Sequence, residues 1–165
     1  ITEVLIPDFR GDAEALNTLL ASRPDVIAHN IETVERLTPK VRDARATYRQ
    51  SLDVLQAIKQ KDPTRYTKSA LMLGLGETEA ELSQAMDDLR AVGVDILTIG
   101  QYLQPTKKHI AVQEFVPPEQ FERLQQLGEA KGFLFVASGP LVRSSYRAGE
   151  FFIKNTIEKQ RKKSA

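Results

Sequence analysis

The stretch TKSALMLGLGETEAELSQAMDDLRAVGVDILTIG, residues 67–100, reads as strand, helix, strand. Its first ten residues are apolar and end among glycines. From Thr78 to Val92 the spacing of Leu82, Met86 and Leu89 puts one apolar face on a helix, and Gly93 supplies the stop signal. DILTIGQYLQP, residues 95–105, is a second apolar run. Strands that lack polar alternation are covered on both faces, the mark of parallel pairing in an α/β fold.

The same alternation extends both ways. Upstream, TEVLIPDF (2–9) and DVIAHNIET (25–33) read as strands. Helical spacing follows the first through Ala15, Leu16, Leu19 and Leu20, and RATYRQSLDVLQAIKQKD (45–62) is amphipathic through Tyr48, Leu52, Leu55 and Ile58. Downstream, PPEQFERLQQLGEAKG (117–132) opens on prolines suited to a first helical turn, and FLFVASGP (133–140) forms a fifth, shorter strand. Right-handed crossovers then give an open sheet or part of a barrel.

Composition narrows the function classes. A formal net charge of +1 gives no whole-chain case for nucleic acid or membrane binding, and no apolar run approaches a bilayer span. Cysteine is absent, which excludes disulfides and any thiolate metal site built from this chain alone. The chain opens inside a strand-like run, without an initiator Met or a signal peptide, and is expected to be a piece of a longer protein.

Polar residues gather where the strands end. Asp8, Arg10, Asn30, Glu32, Glu77, Gln101 and Gln104 are expected to face one space, because the carboxyl ends of parallel strands form the ligand-binding face. In HNIET, Asn30 and Glu32 alternate along a strand and share a side, with Ile31 opposite. An amide beside a carboxylate suits a vicinal diol such as a ribose; a pair satisfied by neighbouring backbone is the alternative. In GLGE, Gly74 and Gly76 let backbone approach a ligand closely. The third glycine of a dinucleotide fingerprint is missing, there is no P-loop lysine, and Glu77 at the helix start opposes a phosphate. In SGPLVRSSYRAG (138–149), Ser144 and Ser145 stand between Arg143 and Arg147 with no G-x-S-x-G around them. An anion grip, a cap on a helix from Arg147 to about Lys162, and a ligand role all remain open.

Five stretches, EVLIPDFRGD, HNIETVERLTPKVRDARATYRQSL, TKSALMLGLGETEAE, TIGQYLQPTKKH and SGPLVRSSYRAG, together resemble lipoyl synthases, a family of radical S-adenosylmethionine (SAM) enzymes. The resemblance runs from residue 3 to about 149. HNIET is also similar to the HNLDT stretch of biotin synthases, whose Asn and Asp lie at the SAM ribose. The resemblance implies an α/β fold: the C-terminal part of a partial (β/α)6 radical-SAM barrel, parallel strands with outer helices. Residues 1–132 would be barrel units, and 133–165 a C-terminal extension with the RSSY motif and a basic terminal helix.

The implied activity is sulfur insertion at C6 and C8 of a protein-bound octanoyl-lysine, using SAM and two [4Fe–4S] clusters, one of them the sulfur donor. Both clusters are held in the family by upstream cysteine motifs, so this chain would be the C-terminal half and inactive alone. Carried over to this sequence, Asn30 and Glu32 would touch the SAM ribose or the substrate edge, and Arg45 the SAM carboxylate. Gly74 and Leu75 would lie near adenine, and Gln101 and Tyr102 would line the site. Ser145, or else Ser144, would ligate iron of the donor cluster, a hard and labile oxygen ligand. Arg143 and Arg147 would hold the tail over the site.

Implied partners are octanoylated lipoyl-domain and carrier proteins (the H protein, E2 subunits) and an electron donor such as flavodoxin or ferredoxin, with no nucleic acid and no membrane. The implied compartment is cytoplasmic or organellar, the cytoplasm being preferred. The basic tail at 154–165 reads as a solvated helix end. Two competing readings are a cysteine-free paralogue that binds octanoylated or lipoylated carrier without chemistry, and an unrelated α/β-barrel lyase.

Overall fold

In the computed structural model, which describes residues 1–145, five parallel strands form one sheet in chain order. They are β1 (Glu3–Leu5), β2 (Val26–Ala28), β3 (Tyr66–Leu73), β4 (Ile96–Gln101) and β5 (Phe135–Gly139). Sequential order means every crossover steps the same way. Right-handed crossovers then put all helices on one face, without the reversal of a doubly wound sheet. The result is an arc of a β/α barrel. Arg147, the basic tail and the helix expected there lie outside the described residues.

Side-chain parity agrees with this arrangement. Leu71, Leu73, Leu97, Ile99 and Val136 pack with the helices, while Val4 and Ile27 join a second helix-side cluster. Val26, Tyr66, Ile96 and Phe135 make a separate apolar cluster on the helix-free face, at the amino ends of their strands. One row further along that face, Lys68 is buried at 4% side-chain exposure and ion-pairs with Glu3 Oε1 at 2.7 Å, reaching across β2. β5 belongs to the same sheet, although the division at residue 132 assigns it to the extension.

The helices are α1 (Ala13–Ala21), α2 (Thr38–Val41), α3 (Tyr48–Lys61), α4 (Glu79–Ala91) and α5 (Pro118–Ala130). Their starts have local causes. Asp12 accepts from the backbone N–H groups of Glu14 and Ala15, and Thr47 accepts from that of Gln50. Thr78 and Glu81 form a reciprocal capping box. Met86, Leu89, Leu55 and Phe121 are each 0% exposed in the helix-side core, where truncating a phenylalanine costs about 3–5 kcal/mol.

The first and fourth strands are shorter than the runs read over 2–9 and 95–105, α2 was not read from the sequence, and two further differences bear on the site. Helix α3 starts at Tyr48, because the Thr47 cap fixes the boundary and leaves Arg45 in the preceding loop. The second strand stops at Ala28 and does not run to Thr33. Ala28 pairs with Lys68, but the next pairing is an isolated bridge from Glu32 to Leu71. Four steps on one strand therefore match three on the other, a bulge. Glu32 turns the chain there in the left-handed region, at φ 66°, while its N–H donates to Ala70 O at 3.0 Å and its carbonyl accepts from Met72 N at 2.8 Å.

Candidate functional site

A cleft of about 370 Å³ opens at the carboxyl ends of β1 and β2. Asp8 and Arg10 line it from the loop after β1; Asn30, Glu32, Arg42 and Arg45 line it from the loop after β2. Three of the expected site residues thus meet: Asn30, Glu32 and Arg45. Asn30 is 8% exposed and its Oδ1 is buried without a hydrogen-bond partner. A buried, unsatisfied acceptor is costly, which makes it a natural seat for a ligand hydroxyl.

The two arginines of the cleft differ. Arg45 is exposed and forks onto Asp43, with Nε 2.8 Å and Nη2 3.0 Å from its carboxylate oxygens. That pair holds the Asp43 carboxyl far below the usual carboxylate range. Arg42 is half-buried and forms no ion pair among the described residues; its Nη1 donates to Ser51 Oγ at 2.7 Å. Burial lowers the Arg42 pKa, opposed by the charges of Glu32 and Asp8. A cation already removed from water is better prepared to meet a carboxylate than one paired in solvent. Arg42 was missed by the sequence reading. The Thr47 cap shows that Arg45 precedes the helix, but nothing in the sequence singled out Arg42.

Behind Arg42 stands His29, 4% exposed. Its Nδ1 is 2.9 Å from Ile6 O and its Nε2 2.9 Å from Ser51 Oγ. Burial pushes its pKa down, with Arg42 acting in the same direction and the Ile6 hydrogen bond and Asp8 opposing.

A smaller cavity of about 120 Å³ lies beside the cleft on the helix-free face, lined by Glu32, Ala70, Thr98, Gly100, Gln101 and Ser144 among others. Glu32 faces both cavities. Thr98 is 2% exposed with an unpartnered Oγ1. The 140–145 segment closes this cavity. Gly100 has no Cβ to obstruct the Val142 carbonyl, and Arg143 Nη1 donates to Gln101 O at 3.3 Å. Ser144 is half-buried on the cavity wall, and Ser145 is exposed.

The other expected residues are tied to the loop after β4. The Gln101 amide nitrogen donates to Leu73 O, Tyr102 O and Glu114 O at 3.0–3.1 Å, and its oxygen accepts from Val116 N at 3.0 Å. Tyr102 donates its hydroxyl to Ile110 O at 2.9 Å. Leu75 is in the helix-side core. The backbone amides of Gly74 and Leu75 donate to the Glu77 carboxylate at 2.6 and 2.9 Å, which fills the position a phosphate would take.

The residues present do not fit an iron–sulfur cluster by themselves. The chain has no cysteine, and no group of three His, Cys, Asp or Glu side chains among the described residues is arranged to hold a metal. They do fit a ligand with a diol and a carboxylate: an orphan amide oxygen, a carboxylate and a half-buried guanidinium share one cleft. No helix among the described residues is long and apolar enough to cross a membrane.

Residues 1–89 match the model of the radical SAM superfamily, and the chain belongs to that superfamily. Within it the chain is similar to lipoyl synthases. It is 60% identical over 161 residues to the lipoyl synthase of Myxococcus xanthus, covering 98% of this chain and 54% of that protein. The mitochondrial lipoyl synthase of Branchiostoma floridae is also 60% identical over 161 residues, 98% of this chain and 43% of that one. The chain thus spans about half the length of these relatives. Among solved structures, the HMG-CoA lyase of Bacillus subtilis has a TM-score of 0.51 at 12% identity, covering 82% of this chain and 52% of that one. That likeness is one of fold alone.

Proposed function

We propose that this chain is the carboxyl-side half of a lipoyl synthase, which inserts sulfur at C6 and C8 of a protein-bound octanoyl-lysine. The observation that carries the reading is the shared cleft of Asn30, Glu32 and Arg42, which suits the ribose and carboxylate of SAM. Asn30 would accept from a ribose hydroxyl through its orphan Oδ1, and Glu32 would accept from the neighbouring hydroxyl. Arg42, and Arg45 at the rim, would hold the amino-acid carboxylate. With a reduced [4Fe–4S] cluster held by residues outside this chain, SAM seated here would supply hydrogen-abstracting chemistry, and a second cluster would supply sulfur.

The cluster cysteines must come from residues outside this chain, so the chain alone is expected to be inactive. Ser144 on the cavity wall, or Ser145 beside it, would contribute an oxygen ligand to the donor cluster. Octanoylated lipoyl-domain and carrier proteins would deliver the substrate, and a flavodoxin or ferredoxin the electrons.

The test is anaerobic reconstitution with iron and sulfide, with and without a cysteine-bearing upstream half, followed by 5′-deoxyadenosine release in the presence of an octanoyl-lysyl peptide. Turnover only with both halves, lost in Ser144→Ala or Ser145→Ala, supports the reading. The complete lack of cysteine favours a second one, a binding paralogue without chemistry. Tight octanoyl-peptide binding without turnover in either preparation would select it.

A further inference from the structure

We infer that His29 is a positioning residue that sets the Arg42 guanidinium in the cleft through Ser51. The role assigned to Arg42 rests on the cofactor reading above; the hydrogen-bond chain behind it does not. Arg42 can only donate and the Ile6 carbonyl can only accept, which fixes both ends of the chain; a neutral ring then fixes the bond between them. Arg42 Nη1 donates to Ser51 Oγ at 2.7 Å. Because Nδ1 must carry the proton that reaches Ile6 O, the Nε2 of a neutral ring, 2.9 Å from Ser51 Oγ, is bare and accepts the Ser51 proton. The ring proton sits on Nδ1 and is donated to Ile6 O at 2.9 Å.

The surroundings favour the neutral ring that this chain requires. His29 and Ser51 are 4% and 0% exposed. The charged groups acting on the ring are Arg42, from the loop after β2, and Asp8, from the loop after β1. Ser51 is on α3 and His29 follows β2, so the relay joins helix and sheet to a loop side chain that has no ion pair of its own among the described residues. One guanidinium corner is pinned by Ser51, and the rest of the fork is available to an anion in the cleft.

The test uses the 165-residue chain and two probes. S-adenosylhomocysteine carries the carboxylate, and 5′-methylthioadenosine keeps the adenosine but lacks it. Ser51→Ala is expected to weaken S-adenosylhomocysteine roughly tenfold while leaving methylthioadenosine unchanged, the loss of about one well-placed hydrogen bond. His29→Gln, whose amide oxygen can accept from Ser51, is expected to retain most of the difference between the probes. Equal losses for both probes in Ser51→Ala, or no loss for either, would overturn the positioning role. Imidazole ¹⁵N shifts of the unaltered chain supply a readout independent of any variant's folding. A bare Nε2 is the expected result, and an Nε2–H tautomer sinks the inference. If neither probe binds the unaltered chain, the cofactor reading of the cleft fails and with it the role given to Arg42, while the ¹⁵N shifts still decide the relay.

Discussion

Replacing Gln101 with methionine separates a structural buckle from a ligand contact. Gln101 is 5% exposed, and its amide bonds backbone at four places, holding the loop after β4 against β3. Two amide hydrogens serve three carbonyls, so the side chain provides about three full hydrogen bonds. Met preserves most of the volume and removes the polarity. Leu73 O retains a donor, because Tyr102 N reaches it at 2.8 Å. Tyr102 O, Glu114 O and Val116 N are left without the amide that serves them. Three orphaned groups, each at the low end of about 1–3 kcal/mol because the loop has access to water, give a destabilisation of about 2–4 kcal/mol.

The assay is equilibrium urea unfolding combined with hydrogen exchange at Val116. With a slope of about 2 kcal/mol/M, the midpoint is expected to fall by about 1–2 M with the slope unchanged, and protection at Val116 to fall at least tenfold. A loss below about 1 kcal/mol with Val116 protection intact would refute the buckle. If affinity for S-adenosylhomocysteine then fell instead, Gln101 would be a ligand contact, as its place in the resemblance suggests.

Gly74→Ala attacks the same buckle from the other side: φ is +95° and an added Cβ collides with Glu114 O and the Gln101 amide, so a loss of about 3 kcal/mol or more is expected in urea unfolding. Glu32→Gly is expected to be about 1 kcal/mol more stable than Glu32→Ala in the same assay, because only the alanine retains the strain of a positive φ. His29 has its folded pKa lowered from 6.5, so the unfolded chain binds the proton more readily. Its contribution is therefore full above that value and declines as pH falls below it; thermal unfolding should show this slope, and His29→Gln should abolish it. Thr78→Ala removes the cap of α4 and is expected to cost about 1 kcal/mol by chemical denaturation.

The strands and helices were legible because each carries its own pattern. Leu82, Met86 and Leu89 repeat at helical spacing, and β3 and β4 lack polar alternation on strands covered from both sides. The bulge after β2 had no such signal. A left-handed turn usually advertises itself by glycine, but Glu32 occupies this one, held by bonds to Ala70 and Met72 some forty residues away. Strand alternation in HNIET was expected to bring Asn30 and Glu32 together, but the strand ends at Ala28 and it is the left-handed bulge that brings them to one cleft; the choice between Arg42 and Arg45 depends on Ser51 and on how deeply the loop is buried. Lys68, a charge within an apolar strand, was not singled out by the sequence reading. Its partner Glu3 lies two strands away, where only the sheet order brings it near.

The bulge has a chemical consequence beyond its register. Glu32 pairs with Leu71, a position whose side chain points into the helix-side core. A regular strand would send the Glu32 carboxylate in the same direction, among leucines, at a prohibitive desolvation cost. The left-handed backbone at Glu32 instead turns the side chain toward the cavity shared with Ala70, Thr98 and Gly100, on the opposite face. A left-handed conformation costs about 1–2 kcal/mol in a residue with a Cβ. The two ladder bonds of Glu32 hold it in place against that cost. Strain kept at a carboxylate facing two cavities is the pattern of a functional position, and it sets Glu32 between the cleft after β1 and β2 and the serine-lined cavity. Moving the acid one residue along, as in the double exchange Ile31→Glu with Glu32→Ile, should therefore fold poorly and bind neither adenosine probe.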